Sequence, residues 1–208
     1  MGIVIKKITV GNWKVNCYLV AIGGEAWLID PGDDAENISR NLNLDNYNLK
    51  GIINTHGHFD HIGAVAYIKE KYNIPFFIHS KDKRLISQSN LYRRMAGDLT
   101  VIKTPLIDGY LDNLTPLELH GEKILIHYIP GHTAGSVGFE IGGNLFTGDV
   151  IFKNNIGRIN LPGGNNELLL TSINYIFENF IGFHIYPGHG KSFILEKDLI
   201  QKLKVQWD

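Results

Sequence analysis

The chain has 208 residues, 44% of them apolar, and a formal net charge of −1. That length suits one domain, residues 1–208, with a sizeable core, and the near-zero charge argues against a general binder of nucleic acid or other polyanions. The single cysteine, Cys17, excludes an intrachain disulfide and fits a reducing compartment.

Met1 to Val10 alternates Ile and Val with Lys and Thr, which predicts a strand; it lacks the basic and long apolar regions of a signal peptide. No run reaches the roughly 18 apolar residues that span a membrane. The expectation is a soluble, cytoplasmic protein with no membrane partner. Further strands are predicted over Asn16 to Ile22 and Glu25 to Ile29, with Gly23-Gly24 as a two-residue hairpin turn. Cys17 lies in the first of these runs and reads as a buried strand thiol rather than a nucleophile or ligand. Asp34 to Leu44 predicts a short helix with Asp33 or Asp34 as its cap. A buried strand over Leu49 to Asn54, a helix over Ile62 to Tyr72 and a strand over Pro75 to His79 complete a β-α-β-α-β succession, the pattern of a sheet covered by helices. Lys81 to Met95 is polar and reads as helical, and Ala96 to Thr115 reads as a surface loop.

The second half repeats this style. Strands are predicted over Leu117 to Leu119, Lys123 to Ile129, Ser136 to Ile141 and Asn144 to Thr147, with Gly142-Gly143 as a turn. A helix over Asn166 to Phe180 places Leu168, Leu169, Ser172, Ile173 and Ile176 inward. A strand over His184 to Tyr186 and a helix over Glu196 to Val205 close the chain.

Chemistry concentrates in Thr55-His56-Gly57-His58-Phe59-Asp60-His61, four ligand-type side chains within six residues, directly after a strand. Side chains two apart in extended backbone share a side. His56 and His58 can therefore grip one ion, while Asp60 and His61, at the turn into a helix, face a neighbouring one. Three later residues each follow a strand in a glycine-rich turn: His132, Asp149 and His189. Strand ends converge on one edge of a sheet, where sites are built. The count then closes as His56, His58 and His132 for one ion, Asp60, His61 and His189 for a second, and Asp149 bridging both. Imidazole and carboxylate without thiolate suit Zn, Fe or Mn. Asp30, at a strand end beside Pro31-Gly32, can cap a turn or orient a metal ligand. His79, His120, His127 and His184 lack such a setting and read as structural or exposed.

Together these motifs resemble the metallo-β-lactamase superfamily of hydrolases, with Asp30, the His56 to His61 cluster, His132, Asp149 and His189 in order along nearly the whole chain. The resemblance implies an α/β fold, a four-layer αβ/βα sandwich with a dinuclear site at its edge. Within the superfamily the chain is most similar to the glyoxalase II branch, through Thr-His-x-His-x-Asp-His, Gly131-His132-Thr133-Ala134-Gly135-Ser136, Gly148-Asp149-Val150-Ile151-Phe152 and Ile156-Gly157-Arg158. Leu161-Pro162-Gly163-Gly164 resembles a short subgroup of that branch. The first subclass of β-lactamases carries Cys where Asp149 stands, which points away from lactamase activity. The helical extension that helps full-length glyoxalase II hold glutathione is not expected in the 19 residues after His189 (208 − 189).

The function implied is hydrolysis of a small-molecule thioester by a hydroxide bridging two divalent ions, Zn first, Fe or Mn next. Asp60 and Asp149 would act at the reacting centre, and Arg158 would hold a carboxylate of the thiol carrier. The competing reading is a persulfide dioxygenase with one Fe(II) on His56, His132 and Asp149.

Overall fold

The structure is a computed structural model that describes residues 2–204. The predicted final helix is therefore seen as far as Lys204, and its expected end at Val205 lies outside the described residues. The first half runs β1 (Val4–Val10), β2 (Val15–Ile22), β3 (Glu25–Ile29), α1 (Ala35–Asn41), β4 (Asn48–Ile53), α2 (Val65–Tyr72), β5 (Phe76–Ile78), α3 (Lys83–Ser87), α4 (Ser89–Met95) and β6 (Gly109–Tyr110). The second runs β7 (Leu117–Leu119), β8 (Glu122–Tyr128), β9 (Val137–Ile141), β10 (Asn144–Gly148), β11 (Ile151–Phe152), β12 (Asn155–Ile156), α5 (Asn166–Asn179), β13 (His184–Pro187), β14 (Phe193–Ile194) and α6 (Lys197–Lys204).

Two six-stranded sheets result, ordered β1-β2-β3-β4-β5-β6 and β14-β13-β10-β9-β8-β7. In the first, β1 to β3 are antiparallel, and β4, β5 and β6 each add in parallel through a crossover. In the second, β10 and β13 are parallel and the other pairings antiparallel.

Strand β2 shows why the sheets stack. All eight of its residues are buried, as expected of a strand covered on both faces. Its alternate residues serve different cores. Cys17, Leu19 and Ala21 pack with Ile38 of α1 and Val65 and Ile68 of α2. Tyr18, Val20 and Ile22 pack with Ile126, Phe139 and Phe146 of the opposite sheet. A third cluster joins Leu145 and Ile185 to Leu169, Ile173, Ile176 and Phe177 of α5. Three cores between four layers make the expected αβ/βα sandwich. Among the described residues no helix is long and apolar enough to cross a membrane.

Several local expectations change. Asp34 does stand at the start of α1, but in left-handed backbone and without a capping hydrogen bond; its carboxylate instead accepts from Gly11 N at 3.1 Å. The predicted helix over Lys81 to Met95 is two helices that break at Gln88. On α5 the buried stripe is Leu169, Ser172, Ile173, Ile176 and Phe177, while Leu168 is 41% exposed.

Candidate metal centre

The loops that follow β3, β4, β8, β10 and β13 meet at one edge of the sandwich. After β4 the chain bends at Thr55, is extended again at His58, and then turns through a single 3-10 turn, Phe59–His61. Asn54 holds that turn by donating its side-chain amide to His61 O at 2.8 Å. The loop after β13 is drawn to the first sheet by β2: Asn16 N donates to Gly188 O at 2.7 Å and the Tyr18 hydroxyl to Pro187 O at 2.6 Å.

Among the described residues three ligand-type groups form, one of them Asp30 with His56 and His61 and the other two at the centre itself. One ligand atom from each of His56, His58 and His132 lies within 4.8 Å of the others, and the same holds for Asp60, His61 and His189. Asp149 lies between the groups. Its Oδ1 is 3.6 Å from His61 Nε2, and its Oδ2 is 3.7 Å from His132 Nε2 and 3.3 Å from His189 Nε2. All the ligand-type residues singled out in the sequence thus gather at one place.

Each imidazole is turned by a partner on the nitrogen away from the centre, an arrangement that fixes tautomer and ring angle. His132 Nδ1 donates to Arg158 O at 2.8 Å and His189 Nδ1 to Lys14 O at 3.2 Å. His58 Nε2 donates to Pro162 O at 3.3 Å, which leaves Nδ1 as its inward atom. Behind the remaining pair stands Asp30. It accepts from Thr55 N at 2.7 Å, from the Thr55 hydroxyl at 2.6 Å and from His61 Nδ1 at 3.1 Å. The same Thr55 oxygen lies 3.1 Å from His56 Nδ1 and, with its own proton given to Asp30, accepts a hydrogen bond from it. Asp30 therefore faces the outer nitrogen of His61, as an orienting group does, rather than the centre.

The residues fit a pair of cations. His56 Nε2, His61 Nε2 and Asp149 Oδ1 are buried with no hydrogen-bond partner, which is costly unless a ligand completes them. His58 Nδ1 and His132 Nε2 face each other at 2.9 Å, a spacing that two lone pairs tolerate only with a proton or a cation between them. Burial, then neighbouring imidazoles, push His56 down; burial also lowers His58, and it brings His132 to about 4 despite Asp149. The first group is thus kept neutral, the form that ligates. At the second group burial is outweighed by carboxylates, which raise His61 and take His189 to about 11. The same imidazoles hold Asp60 and Asp149 below the usual carboxylate range against the opposing effect of burial. Gly188 is required by this crowding, since a Cβ there would lie 2.2 Å from Asp149 Oδ1.

Arg158 enters through its backbone, which touches His132, while its side chain is exposed. The segment around it does reach the centre, through Arg158 O and Pro162 O. The loop from Ala96 to Thr115 bonds elsewhere: Asp108 to Lys69 and Phe76 N, Ile102 to Asn90, and Asp112 to Ser80. His79 is 5% exposed and stacks on Tyr128 at 4.9 Å between ring centroids. One buried carboxylate escaped the sequence reading. Asp82, fully buried, accepts from Gly57 N at 2.8 Å, from the Thr133 hydroxyl at 2.7 Å and from Gly135 N at 2.8 Å. Its only sequence signal is a lone Asp within Ser80-Lys81-Asp82-Lys83-Arg84, which looks like a solvated helix start.

A two-sheet sandwich with histidines and carboxylates gathered on its edge loops defines a class of metal-binding hydrolases. The chain belongs to the metallo-β-lactamase superfamily, whose sequence pattern it matches over residues 10–180. It is 32% identical over 173 residues to the hydroxyacylglutathione hydrolase GloC of Haemophilus influenzae, covering 81% of this chain and 82% of that one. Among solved structures it is similar to the BLEG-1 B3 metallo-beta-lactamase, with 33% identity, a TM-score of 0.84 and 92% and 94% of the two chains covered. It is also similar to TTHA1623 in a di-iron-bound form, with 33% identity, a TM-score of 0.79 and 91% and 94% covered.

Proposed function

We propose that this chain is a dinuclear metal-dependent thioester hydrolase acting on a small acyl-thiol of the hydroxyacyl-thiol kind. The carrying observation is the pair of ligand groups joined by Asp149, whose Oδ2 lies near His132 of one group and His189 of the other while its Oδ1 faces His61. The thioester part of the reading draws support from the 32% identity to a hydroxyacylglutathione hydrolase.

His56, His58 and His132 would hold one divalent cation and Asp60, His61 and His189 the other, with Asp149 facing both. Zn is the first choice, with Fe or Mn next, and a di-iron-bound relative supports the breadth of that choice. When bound, the pair supplies Lewis acidity and a water of lowered pKa. Asp60, held below the usual carboxylate range by His61 and His189 against burial, would orient a water bound at the second cation while serving as one of that cation's ligands. Thr55 and Asp30 would hold the imidazoles of His56 and His61 still while negative charge builds on the carbonyl oxygen of the thioester. A thiolate leaves without a general acid, because thiols are acidic enough to depart as anions. The exposed guanidinium of Arg158 is offered to a carboxylate on the thiol carrier.

The test is elemental analysis of protein purified without chelator, followed by hydrolysis assays across several acyl-thiol carriers. About two equivalents of divalent metal with thioester turnover is the expected result. No turnover on any carrier would overturn the thioester assignment, and faster cleavage of a chromogenic β-lactam would replace it. One equivalent of iron with oxygen uptake on a persulfide would replace the hydrolase by a dioxygenase.

A further inference from the structure

We infer that Asp82 is the positioning residue of the three-imidazole group: it fixes the separation of the His56–His58 loop from the His132 loop, and so sets the affinity of that group for its cation. This rests on the metal reading above and not on the thioester.

The partners already described set ring angles. Pro162 O and Arg158 O each turn one imidazole about its own bonds, but neither fixes how far apart the two loop backbones stand. Asp82 does so. Its Oδ2 accepts from Gly57 N, between the ligands His56 and His58, and from the hydroxyl of Thr133, next to the ligand His132. Its Oδ1 accepts from Gly135 N, further along the same loop. One rigid carboxylate thus joins ligand loops from opposite sheets, 25 and 51 residues away in sequence. Both glycines are matched to it. A Cβ on Gly57 would lie 3.0 Å from Asp82 Cβ, and one on Gly135 would lie 2.7 Å from Asp82 Cγ. With 0% exposure, water cannot substitute for the missing acceptor if Asp82 is replaced. The inward nitrogens of His58 and His132 are 2.9 Å apart, so a small relative shift of the loops changes the space a cation would enter.

Asp82→Asn keeps the shape and forces an amide NH2 against either Gly135 N–H or the Gly57 and Thr133 donors. Metal-stripped wild type and D82N would be titrated with Zn2+ against a chromogenic chelator, and with Co2+ for its visible ligand-field spectrum. The expected result is two tight equivalents in wild type, and in D82N one of them weakened about 10- to 100-fold, with the three-imidazole cobalt spectrum altered and the metal-free variant still folded by circular dichroism. Unchanged affinities in folded D82N, or equal weakening of both equivalents, would overturn the inference. Should D82N fail to fold, Thr133→Val removes one of the three hydrogen bonds and Thr133→Ser keeps it; the inference requires T133V to weaken the same equivalent and T133S to spare it, and equal affinities would overturn it. Wild type that takes up no metal would instead remove the proposed function, so the two failures are distinguishable.

Discussion

Asp30 sits in left-handed backbone, at φ 50°, where a non-glycine residue is uncommon and Asn and Asp are the best tolerated. Three donors converge on its carboxylate, two of them from Thr55. Asp30→Asn keeps the backbone but loses a charge and an acceptor; metal affinity of the group containing His61 is expected to fall about 10- to 100-fold, read by chelator competition. Asp30→Ala should add an unfolding penalty of roughly 1–3 kcal/mol from the stranded Thr55 donors, read by urea denaturation. Cys17 offers a simpler check. It has no exposed surface, and burial and then Asp30 push its thiol well above the ordinary range. It should not react with a disulfide reagent until the protein is unfolded, and rapid labelling of native protein would contradict this burial. At this scale the seven ligand-type residues were legible because His and Asp beside glycine at strand ends are chemically reserved. Their supports were not. Every residue carries a carbonyl, so nothing in the sequence marks those of Lys14, Arg158 and Pro162 as partners of imidazoles.

Elements with an apolar run or a hydrophobic period were legible to within a few residues, because burial on both faces demands a mostly apolar run such as β2. The two-residue strands β6, β11, β12 and β14 were not, since two residues carry no period. The stripe on α5 differs at both ends: it leaves out Leu168 at the start and includes Phe177 at the finish. Ile173→Ala should therefore cost about 2–5 kcal/mol, while Leu168→Ala should stay within about 0.5 kcal/mol of wild type, both by urea denaturation; a costly Leu168→Ala would restore the sequence-based stripe. Arg93, on α4, shows what a polar helix concealed. Its buried guanidinium donates to Asp33 at 3.2 Å and to Asp98 at 2.6 Å, and lies over the Phe59 ring. Arg93→Ala leaves Asp33 without its cation while Asp98 keeps its two Thr100 donors, and should cost roughly 1–3 kcal/mol, measured in the same way.

For the whole molecule, the four-layer sandwich was implied by the resemblance to the superfamily, and the order of strands and helices was compatible with two halves packed face to face. The packing that joins its halves, such as Tyr18 against Phe146 at 5.2 Å between rings, involves residues far apart in sequence and leaves no local trace. Each of the two groups at the centre draws on both halves: His132 completes one, and His189 the other. Chelator treatment should lower the melting temperature reversibly, because cations that bind only the folded form stabilise it by about 2.7 kcal/mol per site at a hundredfold excess over Kd. An unchanged melting temperature would mean that the centre binds nothing tightly.

Ligands scattered from residue 56 to residue 189 cannot be gathered by an ion before the sheets have docked. Three sizeable apolar cores already do the gathering, unlike a zinc finger, whose peptide stays unfolded until metal arrives. Loading is therefore a late event, open to whichever cation the surroundings supply. Batches produced in media enriched in zinc, iron or manganese should carry different metals on one and the same scaffold. The diet of the producing cell, as much as the sequence, would then write the contents of the centre.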